Sequence, residues 1–342
     1  MSKVMRRKGL EIEMRFDRRP KTSAPPVLSK PERRRFVGAF LVAALLILAG
    51  ALKSKGAGLS SETLKAWDSY VHTQNARVAE YSIATPFLWS DQSPDRLRRL
   101  HEGEIVVAPF GDNPHRVPQG LIHHWIGAVF LHGARLDDVF SVVRDYGRYQ
   151  DFYAPNIIES RLVGRTETED TFTLRMLNKA VVGKFALDTE FRDSYKPVDE
   201  HKWYSTSITT HVREVEDYGA ADEHQVPADT GRGLIWRLYS ISRFEERDGG
   251  VYVELEAVAL SRDIPGALRW LVDPVVRRTS RSSMRVSLQK TQGAVFEPSR
   301  FAKDNENDKA PAESAFTSSL ATAPVSKRVY SGPLQSAFRA AR

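Results

Sequence analysis

Apolar and polar residues alternate with period two through the middle of the chain, and short turns cut the alternation into runs. LIHHWIGAVFLHG (121–133) reads as a strand. IIESRLVGRT, TFTLRMLNKA, GKFALDTEFRDSY and WYSTSITTHVREVE read as four more. GLIWRLYSISRFEERDGGVYVELEAVALSRDIP (233–265) supplies the last two, folded about Asp248-Gly249, a favoured two-residue hairpin turn. After the first strand, ARLDDVFSVVRDYGRYQDFY (134–153) carries Leu136, Val139, Phe140 and Val143 at helical spacing, and Pro155 stops it. The last element, GALRWLVDPVVRRTSRSSMRVSLQKTQG, is a long helix opened by Asp263 and Pro265. Its apolar stripe is Leu268, Leu271, Val275 and Val286, with Met284, and Pro274 should kink it or break it in two. This order predicts an α+β domain: an antiparallel meander of about seven strands, curved round one long C-terminal helix.

The hairpin has an unusual face. Paired from its turn, Phe244 faces Val253, Ser242 faces Leu255, Ser240 faces Ala257, Leu238 faces Ala259 and Trp236 faces Ser261. A sheet packed directly on a helix would fill such small positions, because interiors are close-packed and voids cost stability. Two outcomes are open. Either a cavity lies over Ser240, Ser242, Ala257 and Ala259, walled by Trp236, Leu238, Phe244, Val253 and Leu255 and roofed by Leu268, Leu271 and Val275, or helix side chains such as Trp270 and Leu271 fill the gap. The opposite face pairs Arg243 with Glu254 and sets Ile241 against Glu256; opposite charges there read as a solvated surface.

Upstream, FVGAFLVAALLILAGAL (36–52) is uncharged, with Arg33, Arg34 and Arg35 before it and Lys53 after it. It is long enough for a short membrane span, and the charge asymmetry keeps the N-terminus cytoplasmic and sends the bulk of the chain to the other side. A signal-anchor is favoured over a cleaved signal peptide, although Ala49-Gly50-Ala51 has the form of a cleavage site. In a bacterium the domain would be periplasmic; cleavage would make it secreted. The expected divisions are a basic disordered leader (1–35), the span (36–52), a helical lead-in and connector (57–120), the domain (121–292) and a disordered tail (297–342). In the lead-in, SSETLKAWDSYVHTQNARVAEY repeats Leu64, Trp67, Val71, Val78 and Tyr81 at helical spacing, with Ser60 or Ser61 as its cap, and Ile105 to Ala108 reads as an edge strand.

Charge changes little in this picture. The chain carries net +7, but residues 1–35 hold twelve Lys/Arg against four acids, so the remainder is near neutral and gives no case for nucleic-acid binding. Zero cysteines exclude disulfide scaffolds, cysteine nucleophiles and thiolate metal sites.

Two segments carry a resemblance: the helix pair ending YGRYQDFYAPNI, and the hairpin followed by SRDIP and a long helix. Over roughly residues 121–292 the chain resembles the START-like helix-grip superfamily, which includes lipid-transfer and polyketide cyclase/aromatase-like ligand-binding domains. The resemblance implies a ligand cavity between the sheet and the C-terminal helix.

Candidate catalytic groups are few. His123 and His124 are neighbours in a strand, so they point to opposite faces and cannot share a metal. His124 is a candidate to face the cavity and hydrogen-bond a ligand. Asp137 and Asp138 open a helix, where acids suit the dipole. Glu254, Glu256 and Arg237 belong to the outer face and would become a buried polar set in the cavity only if the register were inverted. No phosphate loop, metal spacing or nucleophile elbow is present. The expectation is therefore a membrane-tethered or exported domain that binds a hydrophobic small molecule, a lipid above all, with no cofactor, metal or catalytic residue assigned. A cyclase/aromatase-like enzyme and a filled-core interaction domain remain the alternatives.

Overall fold

Asp248 and Gly249 both hold positive φ, 55° and 75°, the mirror-image turn whose twist suits a tight hairpin. They join β9 (Arg237–Arg247) to β10 (Gly250–Arg262), and the register is the expected one: Phe244 opposite Val253, Ser242 opposite Leu255, Ser240 opposite Ala257, Leu238 opposite Ala259. The coordinates are a computed structural model, and the described residues are 58–81, 86–180 and 183–297. The leader, the 36–52 segment, Ala49-Gly50-Ala51 and the chain after Glu297 lie outside them. Among the described residues no helix is long and apolar enough to cross a membrane.

Five further long strands complete the meander: β3 (Gly120–His132), β4 (Ile157–Arg165), β5 (Asp170–Ala180), β6 (Gly183–Pro197) and β7 (Lys202–Glu216). Three short strands are added at its edges: β1 (Val106–Pro109) and β2 (His115–Val117) on β3, and β8 (His224–Gln225) on β7. The unclosed antiparallel sheet runs β1-β3-β10-β9-β7-β6-β5-β4. β10 pairs β3 over thirteen residues, so the last strand returns beside the first long one.

Two helical groups cover the inner face. α3 (Leu136–Val143) and α4 (Tyr149–Phe152) follow β3, and α5 (Arg269–Phe296) closes the fold. The C-terminal half of α5 is fixed. Met284 and Leu288 lie over Gly127 of β3, where an added Cβ would stand 2.8 Å from Leu288 Cδ1 and 3.0 Å from Met284 Cγ. Ala294 packs with Val142 and Phe152, and the Tyr153 and Thr291 hydroxyls are 3.0 Å apart. Pro274 leaves α5 a single helix: as its sixth residue it forfeits the one bond to the Trp270 carbonyl, near the start, where little helix precedes it to be displaced.

The outer face is the surprise. α1 (Ser61–Tyr81), capped by Ser60, lies across it, and Trp67, Val71 and Val78 pack with Ile122, Tyr239, Ile241, Val258 and Leu260. Beyond α1, Phe87 and Leu88 and α2 (Pro94–His101) cover Ala128, Phe130 and Tyr252. The face expected to be solvated is the drier of the two.

Candidate functional site

The inner face of the hairpin is half-buried at Leu238, Ser240, Ser242, Leu255, Ala257 and Ala259. On the outer face of the same strands, Tyr239, Ile241, Arg243, Glu254, Glu256 and Val258 are 0–3% exposed. The inner face is thus the open one, although a long helix crosses it. The N-terminal half of α5 leaves it uncovered: Val275 is 38% and Trp270 72% exposed, so neither plugs the gap.

Register assembles a floor from this face. Ser207 of β7 faces Ser240, and Ser205 faces Ser242. Four serines therefore form a block two strands wide. One cross-strand row runs Trp125, Ala257, Ser240, Ser207, Asp193, and the next runs Gly127, Leu255, Ser242, Ser205, Tyr195. The hydroxyls of Ser207, Ser240 and Ser242 make no hydrogen bond to another described residue. Apolar groups bound the block. Phe244, Val253 and Trp203 belong to a core that includes Phe140 of α3, whose ring meets Trp203 and Phe244 edge-on at 5.4 Å each. Leu238 leads to the Tyr146, Phe172 and Phe191 stack. At the β3 side a space of about 500 Å³ opens between Trp125 and the α5 residues Arg277, Arg278, Arg281, Ser282 and Arg285.

Asp193 closes the serine row. Tyr146 donates its hydroxyl hydrogen to Asp193 Oδ2 at 2.9 Å, while Oδ1 is buried without a partner. Its cross-strand neighbour is Asp170, which Arg165 (2.8 Å) and Arg144 (3.4 Å) hold as a paired carboxylate. Burial pushes the Asp193 carboxyl up to about 7; the Tyr146 hydrogen bond and the Arg144 charge oppose this, and the Asp170 charge adds to it.

Several expected site residues lie elsewhere. Trp236 packs into the α1 cluster on the outer side, because the chain enters β9 through Gly233 (φ 69°) and the alternation begins only at Arg237. Val275 is turned to solvent, because the track of α5 that faces the sheet carries Met284 and Leu288, and Val275 is out of phase with it. Leu268 is half-buried in the 3-10 turn before α5, and the side chain of Leu271 lies outside the described residues.

His124 is fully buried on the outer face. Its Nε2 is 2.9 Å from Glu256 Oε2 and its Nδ1 2.9 Å from the Tyr70 hydroxyl of α1. Glu256 also accepts from Arg243 at 2.6 Å and from Arg77 of α1. Burial alone would raise the Glu256 carboxyl; the His124 hydrogen bond and the charges of Arg243 and Arg77 outweigh it and hold the group below the ordinary carboxylate range. Glu254 accepts the backbone N–H groups of Trp89 and Ser90 at 2.8 Å each, and burial still raises it. Glu254, Glu256 and Arg243 are therefore a buried network that fastens the lead-in, not a solvated pair. Arg237 pairs with Asp229 at 2.5 Å, on the outer side as expected. His123, on the inner face, is 3.2 Å from Ser261 Oγ.

A second hollow, about 550 Å³, lies on the outer side of β4 to β8. Its charged groups neutralise one another, with Arg175 bound to Asp188 at 2.7 Å and to Glu159 at 3.4 Å. It reads as a solvated ion-pair surface.

The element order and sheet topology are those that the resemblance in the sequence implies, an unclosed antiparallel sheet with a long C-terminal helix. Solved structures similar to the chain include a STAR-related lipid transfer protein from Xanthomonas axonopodis (19% identity, 56% of this chain and 98% of that one, TM-score 0.37). Zhui aromatase/cyclase from Streptomyces is another (15% identity, 53% and 98%, TM-score 0.34), as is a START superfamily protein from Mycobacterium smegmatis (12% identity, 52% and 99%, TM-score 0.33). No protein-family model and no curated protein matches the chain.

Proposed function

We propose that the chain is a membrane-tethered domain on the non-cytoplasmic side, taking up a hydrophobic small molecule, above all a lipid, between the concave sheet and α5. The contrast between the two faces of the hairpin carries this reading. The outer face is dry and filled, while the inner face keeps small residues, unpartnered hydroxyls and open space beneath a helix. Apolar walls with a few convergent polar groups are the ordinary make-up of a ligand pocket. Binding needs no chemistry, since each buried methylene contributes on the order of 0.8 kcal/mol.

Native mass spectrometry of the full chain, followed by solvent extraction, tests it. The expected result is a co-purified lipid that Ala257→Phe, which fills the floor, excludes without lowering Tm. A bare mass, with no uptake of a fluorescent lipid analogue, overturns the reading.

One observation favours a second reading, an enzyme of the cyclase/aromatase kind: Asp193, a buried carboxyl raised to about 7, ends the serine row beside Tyr146. A group poised near neutrality is suited to moving a proton. If so, Asp193→Asn should retain an extracted compound whose mass differs from that held by the wild type. Identical masses leave binding alone.

A further inference from the structure

α5 changes character along the track that faces the sheet. Met284 and Leu288 seat the C-terminal half on β3. Three and seven residues before Met284, the same track carries Arg281 and Arg277. Arg278 and Arg285 flank them, and all four border the space of about 500 Å³ beside Trp125. Like charges four residues apart destabilise a helix, so this arrangement opposes the helix that carries it.

Nothing described offsets these charges. Arg144, Arg165, Arg175, Arg237, Arg243, Arg247 and Arg269 each lie within ion-pair distance of a carboxylate. None of Arg277, Arg278, Arg281 and Arg285 makes an ion pair or a hydrogen bond with another described residue. The one acid in α5, Asp273, bears on His123 instead, where burial lowers the imidazole and Asp273 partly restores it. Four exposed, unpaired guanidinium groups therefore stand beside Trp125, the residue at the β3 end of the serine row.

From Trp125 the floor leads inward in one direction. The row Trp125, Ala257, Ser240, Ser207, Asp193 crosses four strand-to-strand steps, about 19 Å at about 4.8 Å each. That is the scale of a long acyl chain. A planar guanidinium presents a fork of donors that matches the paired oxygens of a carboxylate or phosphate, and its charge-assisted hydrogen bonds are stronger than neutral ones.

We propose that the ligand is an anionic amphiphile, its carboxylate or phosphate head received by Arg277, Arg278, Arg281 and Arg285 beside Trp125 and its acyl chain laid along the serine row. This rests on the cavity reading above and names the class of ligand that the cavity takes. The arginines lie outside the packed core, so the head binds at the mouth and the tail displaces water from the floor.

The test uses the full chain and three probes of equal chain length: palmitate, palmitoyl-lysophosphatidate and neutral hexadecanol. At least one anionic probe should bind tenfold or more tightly than hexadecanol, and the preference should shrink as salt is raised. Arg277→Gln with Arg281→Gln should remove the preference and leave hexadecanol binding unchanged, with Tm held or slightly raised by the lost repulsion. Arg116→Gln, which removes an exposed charge from β2, should leave it intact. Preference for palmitate over the lysophosphatidate assigns a carboxylate head; the reverse assigns a phosphate. Equal binding of all three probes, indifferent to the double variant, overturns the headgroup assignment and leaves the cavity standing. Loss of all three probes in the double variant also overturns it, because the arginines would then act through the helix. No binding of any probe by the wild type removes the cavity reading and this inference together.

Discussion

Asp193 is the residue whose ionisation most directly affects the fold. Its carboxyl is 6% exposed, and burial raises it to about 7 from an ordinary value near 4. In the folded chain it therefore keeps its proton at pH values where the unfolded chain has lost it. The folded state binds more protons over that window, so stability falls as pH climbs from about 4 through 7. Each unit is worth about 1.4 kcal/mol, and the full effect is on the order of several kcal/mol. Asp193→Asn is neutral throughout and still accepts from Tyr146. Its Tm should vary less between pH 5 and pH 8 than that of the wild type, with the variant gaining on the wild type as pH rises. Parallel pH profiles would mean that the carboxyl ionises freely in the folded chain.

At the scale of elements, the readable parts are those whose cause lies nearby in the chain. Asp248-Gly249 alone sets the register of eleven β10 residues against β9, so the pairs Ser242–Leu255 and Ser240–Ala257 are legible from the sequence. Ser205 and Ser207 complete the floor but pass unnoticed, because only the pairing of β7 with β9 brings them beside Ser242 and Ser240. Glu254 and Glu256 look solvated because they alternate with apolar residues on a paired strand. Their cover comes from Arg77 and from the Trp89 and Ser90 amides, more than 160 residues upstream, and no local pattern announces it. The stripe on α5 misleads for a related reason. Inward positions are expected to be apolar, whereas Arg277 and Arg281, not Val275, stand in helical phase with Met284 and Leu288, and all three are exposed.

Two substitutions probe these contacts. Glu256→Gln leaves Arg243, 3% exposed, facing Arg77 without a carboxylate between them. Breaking a buried pair on one side costs about 3–5 kcal/mol. Thermal unfolding should show a Tm lower by roughly 6 °C or more. A drop of less than a degree would mean that α1 is not fastened through Glu256. Gly127→Val forces a branched side chain into space already held by Leu288 and Met284. The urea midpoint should fall by an amount matching about 1–3 kcal/mol of overpacking. An unaltered midpoint would place the seat of α5 elsewhere.

For the whole molecule, the decisive relation is between the tether and the cleft. In the proposed arrangement the span ends at Leu52, and α1 is capped at Ser60, eight residues later. Even fully extended, that connector reaches about 29 Å. α1 does not swing on it freely, because Trp67, Val71 and Val78 are buried against the back of the sheet and Arg77 is bound to Glu256. In that arrangement the anchor would be joined to one face of the sheet, with the open cleft on the other, and a short tether would keep the cleft at high effective concentration relative to lipid in the anchoring bilayer. A flexible Gly/Ser segment of about 30 residues inserted between Lys55 and Gly58 would add a root-mean-square reach of about 30 Å and dilute that encounter. Transfer of a fluorescent lipid from the host vesicle into the full chain should then slow, while equilibrium affinity for the same lipid added from solution stays constant. Were the transfer rate unchanged as the linker grows, loading would not depend on the proposed anchor, and the tethered-uptake reading would fall while ligand binding by the domain stood.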